Sequence, residues 1–156
     1  MKLTLHRFPA LALGALLCAA PQARAETPNC ALLKPADVAR LLGGAATERQ
    51  NGGSCSWTVP GGKRKLVVAR MQATGAPAEQ AYAGARKNAD KEGAGKVLEE
   101  AGLADKAFSV QTSVGVTLVA VKQGRLIQLQ YATGAPGTPG DVEALRPVAG
   151  KALAAF

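Results

Sequence analysis

The strongest constraint on this chain is a cysteine set in a short alternating stretch, with one other cysteine upstream that can reach it. Ser54-Cys55-Ser56-Trp57-Thr58-Val59 puts Cys55, Trp57 and Val59 at period two with serine and threonine between them. That is the pattern of a strand with one buried face. Pro60-Gly61-Gly62 then reads as a tight turn and Lys65 to Met71 as a second strand. The single tryptophan of the chain therefore points inward beside a cysteine. Between Cys30 and Cys55 there is room for one short helix, so a bridge between them would pin that helix to the sheet.

The amino terminus sets the compartment in which such a bridge forms. Lys2, His6 and Arg7 make a positive head, Phe8 to Ala20 an apolar segment, and Ala23-Arg24-Ala25 a small-x-small cleavage site, the grammar of a secretory signal. Cleavage is expected after Ala25, leaving residues 26–156 as a single domain. The apolar run is shorter than the roughly 20 residues a spanning helix needs, so no transmembrane anchor is expected. Leu16-Leu17 precede Cys18 where a lipoprotein signal wants a small residue, so lipidation is not expected either. Removing the segment takes away Lys2, Arg7 and Arg24 and lowers the formal net charge from +8 to +5. It also removes Cys18 and the only histidine, His6. Two cysteines in an oxidising space read as a disulfide, Cys30 with Cys55. The rival readings fit poorly, because the spacing is not Cys-x-x-Cys and no histidine remains to complete a zinc shell.

Along the mature chain, Pro35 to Leu42 reads as a helix with proline near its start, Asp37 in its first turn and Gly43-Gly44 as its stop. Val38, Leu41 and Leu42 form its buried stripe, aided by Leu33. Gln50 to Gly53 is a polar approach to the first strand. A second helix follows Thr74-Gly75-Ala76-Pro77 and runs to about Glu92, with Ala78, Ala81, Tyr82, Ala85 and Ala89 on one side. Arg86 and Asp90 can pair on its wet side, and Tyr82 is its expected anchor. Gly93 to Lys106 is irregular, with a short extended piece at Val97-Leu98 and a turn at Gly102-Leu103-Ala104-Asp105.

Ala107 to Thr133 carries the clearest pattern. A two-residue turn at Gln123-Gly124 sets Val116 against Tyr131, Leu118 against Leu129 and Ala120 against Ile127, all apolar and on one face. The other face sets Thr117 against Gln130, Val119 against Gln128 and Val121 against Leu126. A shift by one residue would expose the uniform set, which fixes the register. Phe108 to Thr112 adds a strand before it. Thr138 to Phe156 closes the chain as a helix with Val142, Leu145, Ala149, Ala152, Leu153 and Phe156 on its stripe. Pro147 should kink or divide that helix near Arg146, because it lacks a donor and crowds the carbonyl of Glu143. The expectation is an α+β domain: an antiparallel sheet of about five strands in the order α-β-β-α-β-β-β-α, with helices mainly on one face.

Cys30-Ala31-Leu32-Leu33 with Pro35-Ala36-Asp37-Val38 and Leu41-Leu42-Gly43, then Cys55-Ser56-Trp57, then Gly102-Leu103-Ala104-Asp105-Lys106-Ala107 resemble a family of small exported bacterial envelope proteins with a Cys…Cys-Ser-Trp signature. The resemblance spans most of the mature chain and implies a PsbP-like α+β fold and the same disulfide. It implies a domain with no assigned biochemical activity. Many members look like lipoproteins, whereas this chain has no suitable lipidation site, and Ala104 stands where the family usually has glycine.

Chemistry-bearing residues are few. Without histidine in the mature chain, the usual base for a serine or cysteine nucleophile is missing. Glu99-Glu100 are adjacent and tend to point apart, so local geometry gives them no shared site. Asp105 reads as a capping or solvated turn residue. Lys63, Arg64 and Lys65 form the one dense basic cluster, either a contact for an anionic envelope component or a solvated turn guarding a sheet edge. Aromatic platforms for nucleic acid are lacking. The expected function is a noncatalytic, exported interaction module that binds an envelope protein or an anionic surface component, without cofactor or metal. The alternatives are a carrier of a small apolar ligand, with a cavity lined by Val119, Val121 and Leu126, and a carboxylate-dependent hydrolase.

Overall fold

The computed structural model describes residues 28–70, 77–91 and 95–155. The export segment with Cys18, Met71, the helix start Thr74-Gly75-Ala76, Glu92, Gly93 and Phe156 lie outside the described residues. A short 3-10 helix, Asn29–Leu32, leads into α1, Pro35–Leu42. Pro35 stands where its missing N–H would have no partner anyway. The helix stops at Gly43, whose φ of 81° suits glycine and whose N–H returns to the Ala39 carbonyl. Val38, Leu41 and Leu42 are buried.

Three strands follow: β1 (Thr47–Asn51), β2 (Ser54–Thr58) and β3 (Lys65–Arg70). Then come α2 (Ala78–Lys91), β4 (Val97–Glu99), β5 (Lys106–Thr112), β6 (Gly115–Lys122), β7 (Arg125–Ala132) and α3 (Pro139–Ala154). The strands form one sheet in the order β1-β2-β3-β7-β6-β5-β4, and every neighbouring pair is antiparallel. The β6–β7 register is the expected one throughout, from Val116↔Tyr131 to Lys122↔Arg125. Gln123 and Gly124 both take positive φ, 51° and 71°, as a two-residue turn of this twist requires.

The sheet has seven strands rather than five, and the order becomes α-β-β-β-α-β-β-β-β-α. Both extra strands lie at the sheet's edges, where apolar patterning is weakest. β1 is exposed at all five positions, so it shows no buried alternation, and β4 has only three residues. Short and polar edges also discourage strand addition by other chains. Between β2 and β3 the connection is longer than a tight turn. Val59 has left the strand and packs under the turn, where its carbonyl accepts from Gly62.

The two faces of the sheet are covered differently. Trp57, Leu66, Val68, Leu118, Ile127 and Leu129 line the first face and are at most 1% exposed. Over them lie the 3-10 helix, α1 and α3, the last contributing Val142, Leu145, Val148, Ala149, Ala152 and Leu153. A truncation of Trp57 in such a core costs roughly 3–5 kcal/mol. The second face holds a smaller cluster of Phe108, Val110, Val119, Val121 and Leu126, packed against Ala78, Ala81, Tyr82, Ala85 and Ala89 of α2. The 3-10 helix, α1 and α3 thus lie on one face, as expected, and α2 alone covers part of the other. The chain leaves β3 in the sheet's middle and returns at the β4 edge, and α2 crosses the second face between them.

α3 is one continuous helix, not two. Thr138 caps it reciprocally with Asp141. Pro147 lies on its exposed side, where water can serve the carbonyl that a backbone N–H would have engaged. Cys30 and Cys55 form the disulfide, with Cα atoms 5.0 Å apart. It fastens the 3-10 helix to β2, one step before α1, so α1 is held through that turn rather than directly. Among the described residues, no helix is long and apolar enough to cross a membrane.

Candidate functional site

Lys63, Arg64 and Lys65 are exposed, and the fold sends them in different directions. The Arg64 guanidinium lies 3.6 Å from where a Cβ on Gly43 would stand. That places it at the carboxyl end of α1, where free helix carbonyls favour a cation. Tyr131, whose hydroxyl donates to the Leu41 carbonyl at 3.4 Å, lies in the field of the same charge. Burial raises the Tyr131 phenol above its ordinary range, and Arg64 opposes the rise. Lys63 sits beside Gly134 of the β7–α3 connection. Lys65 alternates with fully buried Leu66 and so belongs to the second face of the sheet, opposite Thr58 and Ala132. β2 and β3 are interior strands, so the cluster does not guard a sheet edge.

The carboxylates considered as an acid and base pair are held by structural partners. Glu99 and Glu100 do point apart. Glu99 accepts from the Arg86 Nε at 3.0 Å on the α2 side. Glu100 is 6% exposed on the opposite side, accepts from the Ser109 hydroxyl at 2.7 Å and pairs with Arg146 of α3. Arg146 also donates to the Ala101 carbonyl at 3.1 Å. Sequence reasoning gave Ser109 and Arg146 no role. Glu100 and Arg146 lie 46 residues apart, and no local pattern connects them. Asp105 caps the β6–β7 turn by accepting from the Gln123 N–H at 2.7 Å, the capping role expected of it.

α2 matches its expected pattern closely. Arg86 pairs with Asp90, and the hydrogen bonds it donates to Glu99 and then to Asp90 raise the arginine above its ordinary range. Tyr82 meets Phe108 edge-on with ring centres 5.3 Å apart, and burial raises its phenol. The Arg86 guanidinium lies 5.6 Å from the Phe108 ring centre, a cation over an aromatic face. Val119, Val121 and Leu126, named as possible cavity walls, are at most 3% exposed and packed together beneath this helix. The open groove along α2 is lined instead by charged side chains, among them Glu79, Arg86, Asp90 and Lys106.

One further cluster joins Glu48 to the disulfide, its carboxylate oxygen lying within 4.8 Å of both sulfurs. Bonded to each other, the sulfurs are not thiolates and offer no metal site.

A second surface is the rest of the sheet's second face. α2 covers its β4–β5–β6 end and Leu126 at the start of β7; beyond Leu126 on β7, and on β3, β2 and β1, the second-face residues are exposed or half-buried. The register sets Arg49, Ser56, Val67, Gln130 and Thr117 side by side in one row. The neighbouring row holds Thr47, Thr58, Lys65 and Ala132. Arg49 thus shares a surface with Lys65, which sequence order hides. The available signal was the Gly52-Gly53 turn between two polar alternating runs. Comparison with family models, with curated proteins and with solved structures finds no match for this chain.

Proposed function

We propose that this chain is a noncatalytic binding module of the cell envelope, exported through its amino-terminal signal, that recognises an envelope protein or an anionic surface component. The observation that carries the reading is the fate of the reactive side chains. Glu99, Glu100 and Asp105 hold α2, α3 and the β6–β7 turn in place, while the basic side chains of Lys63 and Lys65 stand in solvent. The Cys30–Cys55 bridge suits an oxidising compartment. The resemblance to the Cys…Cys-Ser-Trp envelope family agrees with the same reading, and a periplasmic or secreted location goes with it.

The test is affinity capture from an envelope extract with the exported protein, beside a Lys63→Ala/Arg64→Ala/Lys65→Ala variant. The wild-type chain is expected to retain a reproducible set of envelope components that the variant loses in part. Capture of nothing above a bead control would overturn the binding-module reading. Equal capture by both proteins would remove the basic loop from the contact.

A further inference from the structure

We propose that the uncovered half of the sheet's second face is a docking surface for an anionic polysaccharide, with Arg49 and Lys65 as its charge contacts. This rests on the binding-module reading and gives it a surface and a ligand class. The side chains that β1, β2, β3 and β7 present there are mainly hydroxyls and amides, among them Ser56, Thr58, Gln128 and Gln130. Strands lie about 4.8 Å apart and alternate residues about 6.8 Å apart, so these groups form a flat grid of donors and acceptors. Ser54 and Ser56 already give their protons to the carbonyls of Asn51 and Arg49, which leaves their oxygens as acceptors for hydroxyl-rich ligands.

Charge selects among ligands that could use such a grid. Arg49 and Lys65 lie two strands and two residues apart, roughly 12 Å between Cα atoms from sheet spacing alone. No aspartate or glutamate shares this face of β1, β2, β3 or β7. Glu48 alternates with Arg49 and points to the other face opposite Trp57. Across the sheet, Glu79 and Glu99 are engaged by Lys106 and Arg86. The field over the surface is therefore set by two cations far enough apart to engage non-adjacent charges of one extended polyanion at the same time.

Other classes fit less well. Among the described residues, β1, β2, β3 and β7 present no aromatic side chain on this face, so neither a nucleobase nor the bare ring of a neutral sugar finds a stacking platform on them. It lacks the anchor residues that dominate protein interfaces. A lipid surface would want apolar side chains to insert, and the exposed large hydrophobe of the described residues, Val114, sits on the β5–β6 turn.

Binding of the exported protein to polygalacturonate would be measured by calorimetry at low and high salt, with dextran as the neutral polymer and phosphatidylglycerol vesicles as the lipid arm. Arg49→Glu/Lys65→Glu is compared with Lys87→Glu/Lys91→Glu, which makes the same charge change on the exposed side of α2. All four positions are exposed, and unchanged melting temperatures confirm that both variants fold. The expected result is a loss of at least tenfold in affinity for the sheet-face variant, less than twofold for the α2 variant, and weakening with salt. Equal losses would mean diffuse attraction to net charge and would overturn the assignment. So would undiminished binding by the sheet-face variant, equal binding to dextran, or a preference for the vesicles. If the wild-type chain ignores polygalacturonate yet captures an envelope component, this surface and ligand class fall while the binding-module reading stands.

Discussion

Replacing Arg146 with alanine should destabilise the fold by about 3 kcal/mol, and adding Glu100→Gln to that variant should restore part of the loss. The Glu100 side chain is 5% exposed and the Arg146 side chain 31%. Besides the guanidinium, the carboxylate has the Ser109 hydroxyl at 2.7 Å. Removing the arginine leaves a buried charge with one neutral donor. Breaking a buried pair from one side costs roughly 3–5 kcal/mol, and the partial exposure of Arg146 puts this site at the lower end. Glutamine keeps an oxygen for Ser109 and carries no charge. Glu100→Gln alone should therefore cost about 1–1.5 kcal/mol, because Arg146 can turn to water. The double variant should lose about 2 kcal/mol, well short of the roughly 4 kcal/mol that additivity requires. Urea unfolding followed by the fluorescence of Trp57, the only tryptophan, measures all four corners of the cycle. In a domain of this length the Arg146→Ala loss should appear as a fall of about 10 °C in melting temperature. A double variant as unstable as the sum of the two singles, or an Arg146→Ala cost below about 1 kcal/mol, would refute the account of a charge that needs its partner.

Three further outcomes follow from other parts of the fold. Cys30→Ser/Cys55→Ser reopens a loop with a sequence separation of 25 and should lower stability by roughly 3.5 kcal/mol in the chain-entropy treatment; a loss under about 1 kcal/mol in urea would show that the bridge constrains little. Gly115→Ala should cost more than about 2 kcal/mol in a thermal melt, because φ is 148° and the new Cβ would lie 2.1 Å from the Tyr131 carbonyl oxygen; a neutral result would contradict the close approach of β6 and β7. The hydrogen bond from Lys151 holds the Asp37 carboxyl below its ordinary range. Its contribution is present above the ordinary carboxylate range and fades as pH falls through the lowered value, so Asp37→Asn should flatten the acid side of the melting curve. An unchanged acid limb would remove Asp37 from the α1–α3 contact.

How much of this was legible in the chain depends on how far apart the deciding residues lie. The β6–β7 hairpin could be read residue by residue, because one turn at Gln123-Gly124 and period-two alternation fix both register and faces. The five α2 residues from Ala78 to Ala89 were equally legible at helical spacing. The Cys30–Cys55 bridge could be read from cysteine parity, and the burial of Trp57 from its alternation with Cys55. β1 was not legible, since an exposed edge has no buried face to print a pattern.

Local period also cannot say which face a crossover takes, so α2 alone on the second face had to come from the sheet order. The same order divides Lys63, Arg64 and Lys65, which adjacency in sequence had joined, and places Arg49 near Lys65. It brings Arg146 to Glu100 across 46 residues. Short-range spacing fixes conformation and the side a residue faces, because backbone geometry repeats every two or about 3.6 residues. Which charges share a surface depends on how the strands pair, Arg49 with Lys65 through β1, β2 and β3, and only tertiary packing of the sheet made that choice.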